Sequence, residues 1–478
     1  MKFVITVDSF ISSLIKLNSV VSNRSPLKIL ENILLEIKND KLTLLSSDLD
    51  IFIKTTVDVK NESKSSSETE RCAIPSKKLL DLVRSLSHGL TKKIFETSFG
   101  QEDYDKLTAN PSCSSLFNEN FKYNYAKRTL TLSGSALSDE KEALSTRLKE
   151  TEDGAKDDSD LKGSLSELRS AMKDLFKMSD DFTSKSKISV EVSSDNKMKI
   201  KTKTGKYVIA GENAEDFPMP EEADNLSSIK FEGSVLRKIL SRIYHAASTD
   251  DRRTISGILF DLRKNESRFV ATDSYRLAKV VRNVNFEGNE EKLVLPIKTC
   301  ELILKLNQDK DTTIFYNETD LKIVFGEVVI YSKLISEPYP NYESVIPKDS
   351  NKTLKVERAQ LMESLNRALI FADVITKRVK MEVKNKTLSI QSENPSTGFE
   401  SEESLDCSFT ANAGDIDFDE EPFSIAFNTK YLLEAIQHLD TDEVLIKMNS
   451  PTKASILYPT EQQENEEFIE LIMPVRIS

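Results

Sequence analysis

Apolar and polar residues follow the same order of patterns three times along the chain. Apolar residues first recur at the spacing of an amphipathic helix, in segments 8–22, 233–248 and 357–372. Each of these segments is followed by stretches in which apolar and polar residues alternate, which is typical of half-buried strands joined by polar turns. Because the order recurs, we expect an internal structural repeat.

A second amphipathic helix is predicted in each repeat. Segments 72–86, 293–306 and 425–439 each combine a short apolar strand with a Pro or Asn and then a helical pattern. Pro and Asn are both common where helices begin. The predicted unit is a helix, three strands, a connecting strand, a second helix and a closing strand pair. Three copies predict an α+β protein with mostly antiparallel sheets, divided into domains 1–225, 226–350 and 351–478.

The spacing of the repeats predicts an insertion in the first domain. Pro75 and Pro296 are 221 residues apart, whereas Pro296 and Asn428 are only 132 apart, so the first repeat holds about 89 additional residues. We place them at about 96–185, where Ser, Asp, Glu and Lys are frequent. Residues 160–176 have helical periodicity, and a helical hairpin is possible around Gly154–Asp160. The insertion is interpreted as a partly flexible surface addition, with a partner-docking element as the alternative.

Composition and charge describe a chain without membrane or secretion signals. The 478 residues are 38% hydrophobic and 30% charged, with a formal net charge of −12. No run approaches the length of a membrane span, and the N-terminus lacks the pattern of a signal peptide, so we expect a cytoplasmic protein. The acidic balance argues against a surface that coats nucleic acid, but it leaves room for a local basic stripe.

Candidate chemistry is sparse. The common phosphate-binding, nucleophile and zinc-protease motifs are absent, and the chain has only three histidines. The four cysteines, Cys72, Cys113, Cys300 and Cys407, are widely spaced, so we expect reduced thiols with neither metal nor disulfide roles. No cofactor or metal is predicted.

One short segment nevertheless has the composition of an active site. Asp273, Tyr275 and Arg276 follow a strand, and Asp48 and Asp50 occupy the equivalent place in the first repeat, as a hydrolase would require for acid–base groups. The third repeat has "QSENP" at that place instead. A turn tied by Asp or Asn side chains explains this recurrence better than catalysis does.

Cations recur on the predicted helices. A Lys lies two residues after each second-helix start, at Lys77, Lys298 and Lys430. Further cations share faces with these or with the preceding helix, namely Arg84, Lys305, Lys238, Arg242 and His245. Aromatic residues are not interleaved with them, so contact with the phosphate backbone is favoured over base stacking. Solvated helix faces are the alternative interpretation.

Several segments follow one another in a characteristic order, among them "MKFVITVDSF", "NRSPLKILENILLEI", "AIPSKKLLDLVRSL", "VATDSYRLAKV", "YSKLISEPYPNYESVIP", "FNTKYLLEAIQHL" and "LIMPVRIS". In these segments the chain resembles the bacterial DNA polymerase III beta subunit family, the DNA sliding clamps. The segments span nearly all of the chain outside the insertion.

This resemblance implies three clamp domains with helices inside and antiparallel sheets outside. Two such chains would join head-to-tail as a ring around duplex DNA. The implied role is that of a non-catalytic processivity factor in DNA replication. Its expected partners are duplex DNA, a second copy of the chain, the replicative polymerase catalytic subunit, a clamp loader and other proteins with a clamp-binding motif, with no membrane partner.

The resemblance also implies site residues. Those expected at the DNA are Arg24, Lys77, Lys78, Arg84, Arg252 and Lys298. Those expected at the dimer contact are Tyr207 and Ile209 of one chain against Ile370 and Phe371 of the other. Those expected to line a partner-peptide groove between the second and third domains are Ile255, Thr272, Ser274, Tyr275, Arg276, Leu277, Pro340, Val345, Asn428, Tyr431, Leu471, Ile472, Met473, Pro474, Val475 and Arg476.

Four positions depart from the family pattern. Ser274 and Tyr275 stand where the family often has Gly and His, Ser344 where Arg can occur, and Thr376 where a bulky aromatic can occur. These changes leave the preferred partner peptide open. A second alternative also stays open, namely a clamp-like scaffold whose insertion prevents ring closure.

Overall fold

The computed structural model describes most of the chain. The described residues are 1–21, 27–63, 70–87, 94–110, 113, 116–117, 121–133, 144–149, 151, 159–185, 187–250, 254–264, 266–282, 284, 290–384, 386–411, 422–463 and 465–476. Their contacts divide the chain into two compact units. The first unit is Met1–Leu49 with Ile53–Met219, and the second is Asp50–Phe52 with Pro220–Ser478.

The first unit contains the first repeat. Its helices are α1 (Val7–Leu17) and α2 (Ser76–Ser87). Its strands outside the insertion are β1 (Lys2–Thr6), β2 (Asn32–Lys38), β3 (Lys41–Ser47), β4 (Phe52–Asp58), β5 (Lys60–Asn61), β6 (Glu70–Pro75), β10 (Lys187–Val192), β11 (Lys197–Lys201) and β12 (Lys206–Ala210). One sheet has the order β12-β11-β10-β1-β5, and β6, β2, β3 and β4 are neighbours in another.

Local signals explain where α1 begins and ends. Thr6 is its N-cap and accepts a hydrogen bond from the Ser9 N–H, while Asp8 lies in the first turn and Lys16 in the last. The acidic side chain lies near the positive end of the helix dipole and the basic side chain near the negative end, so both charges stabilise the helix. Phe10, Leu14 and Leu17 are buried along one face of the helix. The helical pattern read from the sequence therefore corresponds to the packed face of α1.

The insertion folds around a core of its own. Its elements are β7 (Ile94–Ser98), α3 (Gln101–Ala109), β8 (Phe121–Asn124), β9 (Thr129–Ser133) and α4 (Ser159–Lys185). The strands form a sheet in the order β7-β9-β8. Its buried cluster comprises Phe99, Leu107, Cys113, Leu116, Phe121, Tyr123, Leu130, Leu132, Leu144, Leu148, Leu161, Leu165, Leu168, Ala171, Met172 and Leu175.

This inserted subdomain begins slightly earlier than predicted. Ile94 of β7 pairs with Ser133 of β9, so the subdomain starts before residue 96. The predicted helix at 160–176 is confirmed as part of α4. Residues 152–158, which carry most of the predicted helical-hairpin turn, lie outside the described residues.

The second unit contains the second and third repeats. Its helices are α5 (Val235–Ile243), α6 (Ile297–Leu306), α7 (Arg358–Phe371) and α8 (Thr429–Gln437). The strands of the second repeat are β13 (Ser227–Phe231), β14 (Gly257–Leu262), β15 (Ser267–Thr272), β16 (Arg276–Arg282), β17 (Glu291–Pro296), β18 (Thr312–Tyr316), β19 (Asp320–Phe325) and β20 (Val328–Lys333). Those of the third repeat are β21 (Lys352–Glu357), β22 (Arg378–Lys384), β23 (Thr387–Asn394), β24 (Phe399–Asp406), β25 (Ser408–Ala411), β26 (Phe423–Asn428), β27 (Glu443–Met448), β28 (Ser455–Pro459) and β29 (Glu466–Ile472).

One sheet joins the second and third repeats. Its described strands have the order β17-β14-β15-β16-β29-β28-β27-β21-β25, and a separate sheet has the order β24-β23-β22-β26. At the join, β16 and β29 run antiparallel over seven residue pairs, from Arg276 opposite Ile472 to Arg282 opposite Glu466. We call this pairing the seam. The predicted order of helices and antiparallel strands is confirmed in all three repeats, except that each repeat also begins with a strand and closes with three strands instead of a pair.

Candidate partner-binding groove

The turn that carries the proposed active-site residues is held by its own side chains. The Thr272 hydroxyl donates to the carbonyl of Arg276 at 2.6 Å. The Asp273 carboxylate accepts from the backbone N–H groups of Tyr275 and Arg276 at 2.9 and 3.0 Å. Ser274 between them has a φ of 80°, in the left-handed region that favours glycine. The structural interpretation of Asp273 is confirmed.

The equivalent turns in the other repeats use the same chemistry with different residues. In the first repeat the Ser47 hydroxyl accepts from the Leu49 N–H at 2.9 Å, and Leu49 also has a positive φ of 86°. In the third repeat the Asn394 amide oxygen accepts from the Ser396 N–H at 3.1 Å. Turn formation therefore accounts for the recurrence of short polar side chains at this place.

Arg276 is buried and fully engaged. Its side chain donates to the Asp273 carboxylate at 3.1 Å, and also to the Glu434 carboxylate and the carbonyl of His245. Its guanidinium carbon lies 4.5 Å from the centre of the Tyr431 ring. Only 8% of the residue is exposed. Arg276 therefore links the second repeat to α8 of the third.

The floor of the predicted groove is apolar and packed. Leu277 and Leu471 share a buried cluster with Leu259, Val270 and Tyr342. Ile255 and Ile472 are buried as well. Leu277, which the family resemblance places among the groove-lining residues, is 1% exposed. Its described contacts support the groove from below.

The rim of the groove is exposed. Tyr275 is 60% exposed, and its ring lies 6.3 Å from the Tyr431 ring with an angle of 25° between their planes. Val345 and Met473 are exposed apolar residues. The other predicted rim residues that are exposed are Ser274, Pro340 and Arg476, while Thr272, Asn428 and Pro474 are half-buried. Aromatic and flexible apolar side chains at a rim of this kind suit an apolar peptide.

The C-terminal segment connects the two repeats across the groove. The Met473 N–H donates to the carbonyl of Tyr275 in the second repeat, and the Val475 N–H donates to the carbonyl of Ala426 in the third, each at 2.8 Å. This segment is thereby fixed between the polar turn and β26. The sequence analysis predicted that the C-terminal residues form one wall, and these two hydrogen bonds give that wall its position.

Asn428 performs a local structural task within the groove. Its amide oxygen caps α8 by accepting from the N–H groups of Lys430 and Tyr431. Its amide nitrogen donates to the carbonyl of Thr376 at 3.2 Å. Ser344, one of the positions that depart from the family pattern, donates to the carbonyl of Asn341 at 2.7 Å. Both side chains are thus tied to neighbouring backbone.

The candidate DNA-contacting cations are only partly described. Lys77, Lys78 and Arg84 are exposed on α2, and Lys298 is exposed on α6. Lys77 and Arg84 are seven residues apart and so share one face of α2. Arg24 and Arg252 lie outside the described residues.

Two other cations were predicted to contact phosphates from a helix face, but both are buried. That part of the prediction is wrong. Arg242 pairs with Glu466 and Asp440, and His245 has a side chain that is only 10% exposed and faces Glu470. The reason lies in the third repeat, whose last strand places two carboxylates beneath α5. Cations that neutralise buried carboxylates are not available to phosphates. The helical periodicity predicted the helix correctly, but it does not show which groups the polar face of that helix contacts.

The candidate dimer residues lie in two places, on the edge strand β12 and at the end of helix α7. Tyr207 and Ile209 are half-buried on β12, which is the edge strand of its sheet. Ile370 is 75% exposed and Phe371 is also exposed at the end of α7. Beyond them, the Asp373 carboxylate accepts from the N–H groups of Ile375 and Thr376. This capped turn presents Val374 and Ile375, and Ile375 is 89% exposed.

Within the described residues no group of His, Cys, Asp and Glu is arranged to hold a metal ion, and none of the described helices has the length and apolar character of a membrane span. The four cysteines are free thiols, three of them buried. Burial raises the pKa of Cys72 to about 11, so this thiol is a poor nucleophile.

The sequence analysis missed a set of buried charges at the seam. Glu466 and Glu470 of β29 are fully buried, and they face Arg242, Arg282 and His245. A signal was present in the sequence, because "EEFIELI" places Glu466 and Glu470 four residues apart in an otherwise largely apolar strand. Such spacing puts both carboxylates on one face of the strand.

Three repeats of one α+β unit, the second and third joined through β16 and β29, define the class of three-domain clamps. Family models match the chain in order: the N-terminal domain of the DNA polymerase III beta subunit at residues 1–119, its central domain at 230–341 and its C-terminal domain at 343–476. The chain belongs to the DNA polymerase III beta subunit family. Its function is accordingly that of a sliding clamp, a processivity factor of DNA replication and an accessory subunit of a polymerase.

Individual relatives agree with this assignment. The beta sliding clamp of Pseudomonas aeruginosa is 25% identical over 287 residues, covering 59% of this chain and 75% of that protein. The beta sliding clamp of Streptococcus pneumoniae serotype 4 is 27% identical over 289 residues, covering 59% and 73%. Among solved structures, the DNA polymerase III subunit beta of Pseudomonas aeruginosa has a TM-score of 0.71 at 19% identity, with full coverage of both chains. A sliding clamp of Bartonella birtlesii bound to griselimycin has a TM-score of 0.72 at 20% identity, also with full coverage.

Proposed function

We propose that two copies of this chain close head-to-tail into a ring that encircles duplex DNA and tethers polymerases without catalysing a reaction. The observation that carries the proposal is the match of three clamp-domain families, in order, to the three structural repeats. The domains are taken as 1–225, 226–350 and 351–478, the first with the inserted subdomain. We place the protein in the cytoplasm.

The head-to-tail contact is supported by exposed edges of opposite charge. The β11–β12 hairpin carries exposed lysines, namely Lys197, Lys199, Lys201, Lys203 and Lys206. The edge strand β24 carries exposed Glu400, Glu402 and Asp406. Edge strands have unpaired backbone groups that can pair with another chain. Opposite charges favour β12 of one copy against β24 of another over pairing of like edges, and such a heterologous contact generates a ring when its rotation closes.

An apolar patch at the end of α7 supports the same contact. Ile370, Phe371, Val374 and Ile375 are all exposed, and contiguous exposed apolar residues mark interaction surfaces. Tyr207, Val208 and Ile209 on β12 offer apolar side chains of matching character. In the proposed dimer these two sets meet.

The DNA contact is proposed to be electrostatic and independent of sequence. Lys77, Lys78, Arg84 and Lys298 would face the phosphates, together with Arg24 and Arg252 by family resemblance. Cations without interleaved aromatic side chains suit backbone contact. Substituting Lys77 and Lys298 with Glu should reduce loading onto primed circular DNA. Lys453→Glu serves as the matched control, because Lys453 is an exposed lysine paired with Asp349 outside this set.

The topological claim has a direct test. The protein is loaded by a clamp loader onto nicked circular DNA, and the circle is then linearised. A ring slides off the ends, so bound protein is lost on linearisation and retained on the intact circle. Retention on linear DNA, or a monomeric mass at high protein concentration, would contradict the ring. It would favour a scaffold whose inserted subdomain prevents closure.

The groove is proposed to bind the peptide segments of the replicative polymerase, the clamp loader and other clamp-binding proteins. Its apolar floor, exposed rim and fixed C-terminal wall support this role. Griselimycin, which is bound in solved clamp structures, serves as the probe. Val345→Glu places a charge at the rim and should weaken griselimycin binding in calorimetry by about tenfold or more. Met219→Glu, at an exposed apolar residue outside the groove, should leave it unchanged.

A further inference from the structure

The seam between the second and third repeats contains charges where most strand pairings would be apolar. On one face of β29, Glu466, Phe468 and Glu470 follow one another at alternate positions. Opposite them on β16 lie Arg282, Val280 and Ala278. A buried carboxylate is costly unless it is paired or protonated. The two glutamates therefore need partners from the strand and helices that pack against them.

Glu466 has those partners. Its carboxylate accepts from Arg282 at 2.8 Å and also from Arg242. Arg242 pairs in turn with Asp440 of the third repeat and lies 5.2 Å from the centre of the Phe468 ring. This half of the seam is a neutralised ionic cluster.

Glu470 is less well satisfied. It is 0% exposed, and its Oε1 lies 3.2 Å from Nε2 of His245. The approach is close, but neither carboxylate oxygen and neither ring nitrogen has a well-directed hydrogen bond. A buried carboxyl and an imidazole at this distance are stable with one proton between them, since removal of that proton leaves an unpaired charge in the interior.

The surroundings of this pair limit where the proton can be. From α8, the His438 ring stacks on His245 with centroids 4.3 Å apart, and Glu434 pairs with Arg276. From β16, Arg276 donates to the carbonyl of His245. Burial, followed by the neighbouring His245, lowers the pKa of His438 to about 4. His438 is therefore neutral near pH 7 and does not compete for the proton.

We propose that Glu470 and His245 share one proton, and that this proton holds the groove wall formed by β29 and Met473 against the second repeat. Glu470 is then a positioning residue of the groove. Ile472, two residues further along β29, pairs with Arg276, and the next residue donates its N–H to Tyr275. A displacement of Glu470 is thus transmitted directly to the rim. The contact itself does not depend on the proposed function, which enters only through the groove ligand.

The pH dependence follows from the direction of the shift. Burial is the largest cause that raises the pKa of Glu470, while His245 and then Arg276 oppose it. Stability from a raised pKa is present below the ordinary value and is lost as pH rises through the folded-state value. The seam should therefore loosen on the alkaline side, where the pair loses its proton. Asp440 and Glu434 lie nearby but already have arginine partners.

Hydrogen exchange of the segment 466–473 tests this in the full chain between about pH 6 and pH 9. Glu470→Gln keeps a polar group beside His245 but removes the titrating carboxyl. Relative to this variant, the wild type should lose protection by up to about tenfold per pH unit until the pair has titrated, and should lose no more above that pH. Glu467→Gln is the matched control, since Glu467 is an exposed neighbour on the opposite face of β29 paired with Lys279, and it should behave as the wild type.

Parallel exchange profiles for the wild type and Glu470→Gln would overturn the proposal. If Glu470→Gln does not fold, His245→Gln gives a second test. Without the imidazole the proton has only the Glu470 carboxyl to bind, so the midpoint of the profile should move to lower pH, and an unchanged midpoint would count against the shared proton. Griselimycin affinity measured alongside should follow the same profile. A wild type that binds no griselimycin at any pH would contradict the proposed groove but not the shared proton.

Discussion

The guanidinium carbon of Arg276 lies 4.5 Å from the centre of the Tyr431 ring, so a side chain of the second repeat stacks on a side chain of the third. Asp273, Glu434 and the carbonyl of His245 accept its hydrogen bonds. One arginine therefore connects the turn, α8 and the segment after α5. The proposed groove lies where these three elements meet.

Replacing Arg276 should destabilise the second unit. Arg276→Ala removes the buried donor to Asp273, Glu434 and the carbonyl of His245, and loss of one member of a buried pair costs about 3 kcal/mol. Urea unfolding followed by circular dichroism measures this. Arg237→Ala, which removes an exposed arginine paired with Asp309, should change stability by less than about 1 kcal/mol. Equal losses in both variants would contradict the role assigned to Arg276.

Tyr275 should matter for binding and little for stability. Its ring is exposed beside Tyr431, so Tyr275→Ala removes contact area from the groove rim and leaves the core intact. Griselimycin affinity should fall by about tenfold, while the free energy of unfolding measured with urea stays within about 0.5 kcal/mol of the wild-type value. Met219→Ala, at an exposed residue outside the groove, should alter neither quantity. A fall in stability without a loss of affinity would contradict the rim assignment.

The apolar patch after α7 should govern dimer formation. Ile370→Lys combined with Ile375→Lys places two charges where the proposed contact buries apolar side chains, so the dimer dissociation constant should rise by about 100-fold or more. Sedimentation velocity over a concentration series measures the shift. Val345→Lys, at an exposed apolar residue of the groove rim, is the control and should remain dimeric. A double variant that dimerises like wild type would remove this patch from the interface.

Acidification should weaken the junction through His438. Because burial lowers its pKa from 6.5 to about 4, its neutral form contributes stability that is present above pH 6.5 and is lost as pH falls through about 4. Allowing for partial solvation of the ring, the contribution is about 2 kcal/mol. Urea midpoints of the wild type should fall over this range more steeply than those of His438→Phe. The same slope in both proteins would exclude His438 as the cause.

The inserted subdomain should unfold as a structure with its own core. Leu168 of α4 is fully buried in that cluster, so Leu168→Ala should cost the subdomain about 3 kcal/mol. Hydrogen exchange should increase in residues 94–185, with unchanged protection in β14–β16 of the second unit. Met178→Ala, at an exposed residue of the same helix, is the control. Equal exchange in the two variants would contradict a separate core.

Short-range pattern was sufficient to predict most of the fold. Helical spacing identified α1, α5 and α7, and alternation identified the strands that follow them, because each element buries one face and so carries its period in the sequence. The recurrence of Lys77, Lys298 and Lys430 located the second helix of every repeat. The insertion was found by spacing alone, but its start was placed two residues late, since the pairing of β7 with β9 is not a local property of the sequence.

The sequence by itself determined the repeat, the antiparallel α+β class, the turn tied by Asp273 and the order of segments that marks the family. These depend on contacts between residues that are close in the chain or on patterns that recur along it. Only the tertiary structure decided that Arg242 and His245 are buried partners of Glu466 and Glu470, and that Arg276 joins two repeats. Those pairs are separated by more than 150 residues, and a charged residue on a helix has the same local pattern whether it meets solvent, a phosphate or a buried carboxylate.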